Sequence, residues 1–433
     1  MKTNISQILN PTIILPSIRS DGQVFYKYDE TRKIWISLLP REVLREIRKT
    51  FLQGKGELNT AANARQIADE IRSGEQFYFP EKKKRSSPYI VMQTGRLNIL
   101  TKEIEPVQQA DYETDYVDFQ YLPEATWEQA PAFCSYVKSS LGIDLLETEI
   151  TPKRKLLMEI LTYTVSSLFG AKKMIILLGP SNCGKTVLLS FLRAVLERYT
   201  SLSLQDLTSQ FRSAALMKVS VVLNDEIEVT GIRHIEMLKK IISGESLILE
   251  AKHEAPVNYT PHVKLVYAAN SLPLLGEYDA ENAFASRLQI LRFGNAIPRN
   301  QWDLNLVDKL VEERDVILSM AIKESGDFAE TLMFTEEPES ERIIAAYKAD
   351  NDSVRTFTDD TDWCNQGENK MVYTAKFYDA YKDYCQQNGL SAVKLSVFRT
   401  QLSQLGFSHD KGRINGGSPL ARTLGISLKE EMM

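Results

Sequence analysis

The feature that most constrains this chain is a run of five apolar residues, Met174–Leu178, followed at once by the glycine-bounded loop Gly179–Thr186. The run is typical of a buried strand in a parallel sheet, and the loop has the spacing GxxxxGKT. Apolar residues then recur at helical spacing as far as Val195. A strand, a glycine loop and a helix in this order predict a phosphate-binding loop (P-loop) at the edge of an α/β sheet.

The residue types of this loop suit a triphosphate ligand. Gly179 and Gly184 allow backbone N–H groups to turn toward phosphate, and the helix N-terminus adds a partial positive charge. Lys185 is expected to reach the β- and γ-phosphates, and the Thr186 hydroxyl is expected to ligate Mg²⁺. We therefore expect ATP and Mg²⁺ to bind here. The predicted nucleotide-binding residues are Gly179, Pro180, Ser181, Asn182, Cys183, Gly184, Lys185 and Thr186.

Composition excludes several other classes of protein. The 433 residues are 43% hydrophobic and 25% charged, which is ordinary for a globular chain of about two to four domains. No segment approaches the ~18 consecutive apolar residues of a membrane span, and the first residues lack the apolar core of a signal peptide. The four cysteines and four histidines are scattered, so no zinc spacing exists and a reducing compartment fits best. We expect a cytoplasmic protein of a bacterial or virus-infected cell, without a membrane partner.

A net charge of −5 argues against nucleic acid covering the whole surface. It leaves a local basic channel open, because the sum hides how charge is distributed.

Two further apolar strands end in polar side chains. Val219–Leu223 precedes Asp225 and Glu226 by one residue, and Lys264–Ala269 precedes Asn270 directly. Ligands of open α/β sheets bind at the carboxyl ends of the strands. Asp225 is therefore predicted to hold Mg²⁺, and Glu226 to activate water as a general base. Asn270 either contacts the γ-phosphate or forms a turn before Pro273, and its position alone does not separate these alternatives.

The segment between and after these strands offers further cations. Residues 244–259 predict a β-hairpin with Lys252 and His253 at or near its tip, which by itself indicates a surface hairpin. Residues 284–293 predict an apolar strand flanked by Arg287 and Arg292.

The N-terminal part predicts a small α/β module. Strands at Gln23–Tyr28 and Ile34–Leu38 precede a helix that Pro40 opens. The polar face of this helix indicates a solvated surface, with contact to nucleic acid as the alternative. The same two interpretations apply to the basic segment at residues 81–88. The cations of the helix face are Arg41, Arg45, Arg48 and Lys49.

The C-terminal part predicts a helix from Thr374, a second helix from Ser396, and a strand with an extended turn at residues 406–413. This order is typical of a winged helix, which binds either DNA or protein. Its candidate phosphate contacts are Arg399, Lys411, Arg413 and Arg422.

The loop Gly179–Thr186, the triplet Asn224-Asp225-Glu226 and the strand ending at Asn270 resemble the three signature motifs of superfamily 3 helicases. The similarity is greatest to the phage and plasmid primase–helicase group, which includes the poxvirus members. Asn182 and the Asn-Asp-Glu triplet separate this pattern from a generic P-loop. Residues 89–145 resemble the N-terminal helicase-associated region of that group, and residues 353–428 resemble its winged helix.

The resemblance implies an α/β fold with an AAA+-like P-loop core and a mostly parallel sheet, a small α/β N-terminal domain and a C-terminal winged-helix domain. The domains correspond to residues 1–145, 146–325 and 353–433, and residues 326–352, which are polar and acidic without clear periodicity, predict a linker. The resemblance also implies a homo-hexameric ring that moves along single-stranded or forked DNA. A primase or polymerase is implied as well, either on another polypeptide or on a longer natural form of this one.

The same resemblance assigns roles to single residues. Asn270 becomes the sensor of the γ-phosphate, and Lys252 and His253 match the hairpin that grips DNA in the channel. Arg287 matches the arginine finger that reaches the neighbouring subunit's ATP. Family members often carry two arginines there, and this chain has Ser286 before Arg287, so Arg292 is the alternative finger.

Two other functions fit the P-loop equally well. The chain could be an initiator ATPase that binds and melts an origin without processive unwinding, or an ATP-gated assembly or packaging protein. The predicted hairpin and winged helix favour the helicase.

Overall fold

A computed structural model describes residues 18–22, 24–50, 52–53, 56–80, 87–227, 234–250, 256–273, 275, 282–294, 296–351, 353–388, 390, 392–413 and 419–429. Lys252, His253 and most of the basic segment at 81–88 lie outside these ranges. No helix within the ranges is long and apolar enough to cross a membrane.

The strands are short except for two near the C-terminus. They are β1 (Ile18–Ser20), β2 (Phe25–Asp29), β3 (Ile34–Leu38), β4 (Tyr89–Met92), β5 (Gly95–Asn98), β6 (Ile104–Glu105), β7 (Met174–Leu178), β8 (Tyr199–Thr200), β9 (Val221–Asn224), β10 (Leu247–Leu249), β11 (Val257–Tyr259), β12 (Lys264–Ala269), β13 (Leu288–Arg292), β14 (Cys364–Tyr373), β15 (Ser408–Gly412) and β16 (Leu420–Leu428).

The helices range from one turn to four. They are α1 (Pro40–Thr50), α2 (Ala61–Ser73), α3 (Pro131–Leu141), α4 (Pro152–Val165), α5 (Lys185–Val195), α6 (Leu204–Leu207), α7 (Ile235–Ser243), α8 (Leu306–Glu312), α9 (Arg314–Glu324), α10 (Phe328–Thr331), α11 (Pro338–Asn351), α12 (Ser353–Asp359), α13 (Thr374–Asn388) and α14 (Leu395–Gln404).

The chain divides into two compact units, each discontinuous in sequence. The first contains residues 1–227, 240–271 and 289–337, and the second contains residues 228–239, 272–288 and 338–433. The predicted ranges were consecutive, and their boundaries remain a prediction.

The centre of the first unit is a five-stranded sheet in the order β13-β7-β12-β9-β8. The pairs β7–β12, β12–β9 and β9–β8 are parallel, as the continuous apolar runs predicted. All five residues of β7 and all six of β12 are buried, and the side chains of α4, α5 and α9 contribute to the same core. The α/β class and the parallel sheet are confirmed, in an arrangement compatible with a P-loop core.

Helices α4 and α1 both begin at residues that favour a helix start. The Thr151 side chain accepts a hydrogen bond from the Arg154 amide, and Pro152 occupies the first helical position. In the N-terminal part, β1, β2 and β3 form an antiparallel sheet, and α1 packs against α2. The predicted hairpin strands and the helix from Pro40 are thus confirmed.

The second unit contains a three-stranded antiparallel sheet in the order β14-β16-β15, accompanied by α12, α13 and α14. Its core is strongly aromatic, with Phe357, Phe377, Tyr381 and Phe398 buried together. The predicted helices at Thr374 and Ser396 are present as α13 and α14. The sequence pattern did not reveal β14, because its middle residues, from Gln366 to Lys370, are polar.

The segment 326–352 differs from the irregular linker that its polar composition predicted. It contains α10 and α11, and Ile344 and Tyr347 of α11 are buried. Two apolar residues three positions apart are enough to anchor one face of a helix, although they give too little periodicity to be recognised.

Candidate functional site

Three strand ends meet at one edge of the central sheet. The P-loop follows β7, Asn270 follows β12, and Asp225 follows β9. The register pairs Ala269 with Leu178, and β12 lies between the other two strands. The Gly179 amide donates to the Ala269 carbonyl at 3.0 Å, so the loop leaves the sheet beside Asn270.

The P-loop backbone turns twice through the left-handed region. Asn182 has φ 61° and Gly184 has φ 98°. A Cβ atom on residue 184 would stand 2.3 Å from the Ser140 Oγ, so glycine is required there by both conformation and space. Successive amides in such turns form a concave surface that binds anions. The loop therefore has the shape that a phosphate requires.

The Lys185 side chain is folded back over its own loop. Its Nζ donates to the carbonyls of Gly179 and Pro180, both at 2.6 Å, and to the Asn270 Oδ1 at 3.0 Å. An ammonium group carries three donors, and these three oxygens match them in number. The Cys183 Sγ, at 3.5 Å, is a weaker fourth neighbour.

Asn270 joins the P-loop through both ends of its amide. The Oδ1 accepts from Lys185, and the Nδ2 donates to the Ser181 Oγ at 3.3 Å. A residue that only formed a turn would not need these two contacts. The strand order, which the sequence did not reveal, places Asn270 at the strand adjacent to the P-loop.

The acidic pair has a partner that the sequence motifs did not include. Arg193 of α5 donates to both carboxylate oxygens of Asp225, at 3.2 and 2.6 Å, and to the Leu223 carbonyl at 3.3 Å. Glu226 is exposed, and its amide donates to the Asn224 Oδ1 at 2.9 Å. The carboxylate of Glu226 thus lies at the surface just beyond the end of β9.

Arg193 lies seven residues after Thr186 on the same helix, which puts the two side chains on one face about 10 Å apart along the axis. This spacing is the signal that could have identified it.

Within the described ranges, Asp225 bonds with Arg193 rather than with Thr186. Thr186 is exposed in the first turn of α5. A hydroxyl and a carboxylate oxygen are suitable Mg²⁺ ligands, so the donor types fit the ion.

Helix α3 forms hydrogen bonds with the P-loop and with the segment after β13. The Tyr136 hydroxyl donates to the Gly184 carbonyl at 2.9 Å, and the Gly294 amide donates to the Ser140 carbonyl at 2.7 Å. Burial raises the pKa of Tyr136 well above its ordinary value, so the phenol remains a donor. The sequence motifs did not point to this helix, because its contacts with the loop join residues more than 40 positions apart in the chain.

The two candidate finger arginines lie in different units. Arg292 Nη1 donates to the Leu178 carbonyl at 3.3 Å, in the strand that leads into the P-loop. Arg287 belongs to the second unit, and its Nη1 donates to the Ala283 carbonyl at 2.6 Å. The choice between them remains a prediction.

The DNA-binding residues predicted in the C-terminal part are at the surface. Arg399, Lys411 and Arg413 are exposed and have no ion pair among the described residues. Arg422 instead forms a two-point ion pair with Asp410 of the neighbouring strand. The arms of the predicted hairpin are present as the antiparallel pair β10–β11, and its tip at residues 251–255 lies outside the described ranges.

Comparisons with known proteins give a partial family match. Residues 177–287 match the model of a family of unknown function, DUF5906, which is less than half of the chain. No curated protein matches the sequence.

The chain is also similar to solved structures of the NrS-1 C-terminal region. One apo structure is 12% identical, with a TM-score of 0.45 over 99% of this chain and all of that chain. A second, the A form, is 11% identical, with a TM-score of 0.45 over 97% of this chain and 99% of that one. Likeness at this level supports no statement about function. The DUF5906 match runs from the end of the P-loop strand to Arg287, and so contains the P-loop, Asp225, Glu226 and Asn270.

Proposed function

We propose that this chain is an ATP-driven DNA helicase of a phage, plasmid or mobile-element replication system. It would move along single-stranded DNA as a ring, with ATP hydrolysed between subunits. The observation that carries the proposal is the contact of Lys185 with Asn270 at one edge of a parallel sheet, with Asp225 and Glu226 following the next strand. The resemblance of these motifs to those of superfamily 3 helicases supports the DNA-translocating class over other P-loop ATPases.

Different residues of the P-loop and the adjacent strand end would contact different parts of ATP. The left-handed backbone at Asn182 and Gly184 would present amides to the β-phosphate. Lys185 would exchange its carbonyl partners for phosphate oxygens, since an ionised acceptor forms the stronger hydrogen bond. Asn270, already bonded to Lys185, would then sense whether the γ-phosphate is present.

Thr186 and Asp225 would hold Mg²⁺, which neutralises charge on the phosphates when it is bound. Asp225 would have to share its carboxylate between the ion and Arg193. Glu226 would orient water and accept its proton, because an exposed carboxylate beside the acidic strand end is free to face the nucleotide. An arginine from the adjacent subunit, Arg287 or Arg292, would complete the site, and such a finger contributes about 10³–10⁵ in rate.

Two measurements test the proposal together. Strand displacement on 5′- and 3′-tailed duplexes should require ATP, and the mass of the protein with an ATP analogue should increase to that of a ring. Glu226→Gln should lower ATP hydrolysis about 10²–10⁴-fold while nucleotide still binds. Glu312→Gln, which changes an exposed carboxylate of α8, serves as the matched control and should retain wild-type hydrolysis.

The outcomes also separate the alternatives. A footprint confined to one DNA sequence, without strand displacement, would favour an initiator. An ATP hydrolysis rate that does not change when DNA is added, in a protein that does not bind single-stranded DNA, would favour an assembly or packaging ATPase. If a monomer hydrolyses ATP at the full rate, the proposal that an adjacent subunit supplies an arginine finger is refuted.

A further inference from the structure

Helix α1, in the N-terminal part of the first unit, carries four cations on one face. Arg41, Arg45 and Lys49 follow one another at spacings of four residues, and Arg48 lies seven after Arg41, so all four project from the same side. We call them the basic stripe. All four are exposed, and the stripe extends about 12 Å along the helix axis.

The two carboxylates of this helix do not neutralise the stripe by direct contact. Glu42 bonds with Lys218 at 2.6 Å, and Glu46 bonds with Lys27 at 2.5 Å. Burial would raise the pKa of both acids, but hydrogen bonds, chiefly those from these lysines, outweigh it, and each pKa lies below its ordinary value. The charges of Arg45, near Glu42, and Lys49, near Glu46, add a smaller lowering. Both acids are thus charged, and each is held by a lysine from another part of the fold.

The cations of the stripe, in contrast, have few partners. The Arg48 guanidinium donates to the Asn59 side chain at 2.9 Å and to its carbonyl at 3.2 Å, which fixes its position. Arg41, Arg45 and Lys49 form no ion pair within the described ranges. Three cations of the stripe are therefore available to bind an anion, and the fourth, Arg48, is held in place by Asn59.

Helix stability does not explain this arrangement. Cations favour the last turn of a helix, which accounts for Arg48 and Lys49, but Arg41 stands in the first turn, where the helix dipole disfavours it. The pairs Arg41–Arg45 and Arg45–Lys49 also place like charges four residues apart, which destabilises a helix. Glu42 attracts Arg45 and Glu46 attracts Lys49, which offsets part of this repulsion. The cation that helix stability explains least is Arg41, and an exposed stripe that includes such a residue favours a binding surface over a solvated face.

The structure favours nucleic acid over a membrane as the partner. A helix that binds a bilayer inserts its apolar face, but the apolar residues Val43 and Ile47 of α1 are buried in the core. Three of the four cations are arginines, whose planar groups can bind phosphate with two parallel hydrogen bonds. We propose that the basic stripe Arg41, Arg45, Arg48 and Lys49 binds the phosphate backbone of single-stranded nucleic acid. This inference rests on the nucleic-acid class of the proposed function but not on ATP hydrolysis.

The test is the salt dependence of binding by the full chain. The fluorescence anisotropy of a labelled oligo-dT of about 30 nucleotides would be titrated at several salt concentrations without nucleotide. Arg41→Gln/Arg45→Gln/Lys49→Gln should reduce the slope of log K against log salt by about 2, since each phosphate contact on a single strand contributes about 0.7. Its melting temperature should stay close to that of the wild type, because the removal of like charges is opposed by the lost attraction of Arg45 to Glu42 and of Lys49 to Glu46.

Two matched variants control the result. Lys138→Gln/Lys172→Gln/Lys309→Gln removes the same charge from exposed sites elsewhere in the first unit, two of them lysines that are ion-paired with Asp144 and Asp303, and should leave the slope unchanged. Arg41→Lys/Arg45→Lys keeps the charge, and should keep the slope.

Failure of this inference is distinguishable from failure of the helicase proposal. If the wild type unwinds DNA and the stripe variant binds with an unchanged slope, only the stripe is refuted. If the slope falls but no strand displacement occurs in the wild type, only the helicase is refuted. If the stripe variant no longer binds phosphatidylserine vesicles that the wild type binds, while its DNA binding is unchanged, the stripe binds membrane and the choice of nucleic acid is refuted.

Discussion

Among the residues that the structure describes, the lysines Lys264 and Lys185 are buried in the first unit, one near each end of β12. Lys264 is the first residue of β12, and Asn270, which follows the last residue of β12, bonds with Lys185. Their exposed fractions are similar, 4% for Lys264 and 7% for Lys185. Their surroundings differ: Lys185 Nζ has three oxygen partners, whereas Lys264 has the Ser166 carbonyl and the Tyr163 ring at 5.1 Å.

The difference shows how partners decide what a buried cation can do. Burial of Lys264 lowers its pKa to about 7, because one carbonyl and a ring do not replace lost hydration. Lys185 begins the helix that follows a glycine loop with left-handed turns at Asn182 and Gly184, and helix N-termini favour anions. We expect Lys264 to be a structural residue and Lys185 to act on ligand.

The largest expected effect is on the loop lysine. Lys185→Met should lower ATP hydrolysis by about 10²–10³-fold, the usual loss when a donor to a charged transition state is removed. Nucleotide affinity, measured with a fluorescent ATP analogue, should fall as well. Lys264→Met should leave hydrolysis unchanged. Equal losses in the two variants would erase the proposed distinction between the lysines.

The next effect is on stability and depends on pH. Between pH 7 and 10.5 the unfolded chain protonates residue 264 and the folded chain does not, so stability rises with pH across this window and the penalty is greatest below it. A shift of this size corresponds to at most about 5 kcal/mol. In Lys264→Met the Ser166 carbonyl loses its donor, which costs about 1–3 kcal/mol.

Lys264→Met should therefore be more stable than the wild type by about 2 kcal/mol at pH 6.5, and the difference should shrink or reverse by pH 9. Urea unfolding at the two pH values measures it. Parallel pH profiles for the two proteins would show that Lys264 does not titrate in this window.

The smallest effect concerns Asn270. Asn270→Ala removes both amide contacts and should lower hydrolysis about tenfold. This is the lower end of the about 1.5–3 kcal/mol that a hydrogen bond to a charged group contributes, because Lys185 keeps its two carbonyl partners. Asn270→Asp keeps the acceptor for Lys185 but adds a negative charge where phosphate is expected, so it should weaken ATP binding more than Ala does. Aspartate suits turns as well as asparagine does. An Asn270→Asp variant that binds and hydrolyses ATP as the wild type does would therefore indicate that Asn270 only forms a turn.

Much of the first unit was predictable because its signals are local. The apolar run Met174–Leu178, the spacing from Gly179 to Thr186, and the proline that opens a helix at Pro40 each act within a few residues. The continuous apolar runs and the P-loop spacing then indicate an α/β protein with a parallel sheet. The same kind of signal failed for β14 and α11, where polar residues dominate and burial depends on partners distant in sequence.

The sequence by itself determined that a P-loop stands at the end of a buried strand, with acidic and amide side chains at the ends of two others. Only the tertiary structure decided the order of those strands, the contact of Asn270 with Lys185, the ion pair of Asp225 with Arg193, and the support of Gly184 by Tyr136. The physical reason is that strand order and packing come from contacts between residues far apart in the chain. Such contacts leave no periodic trace in the sequence.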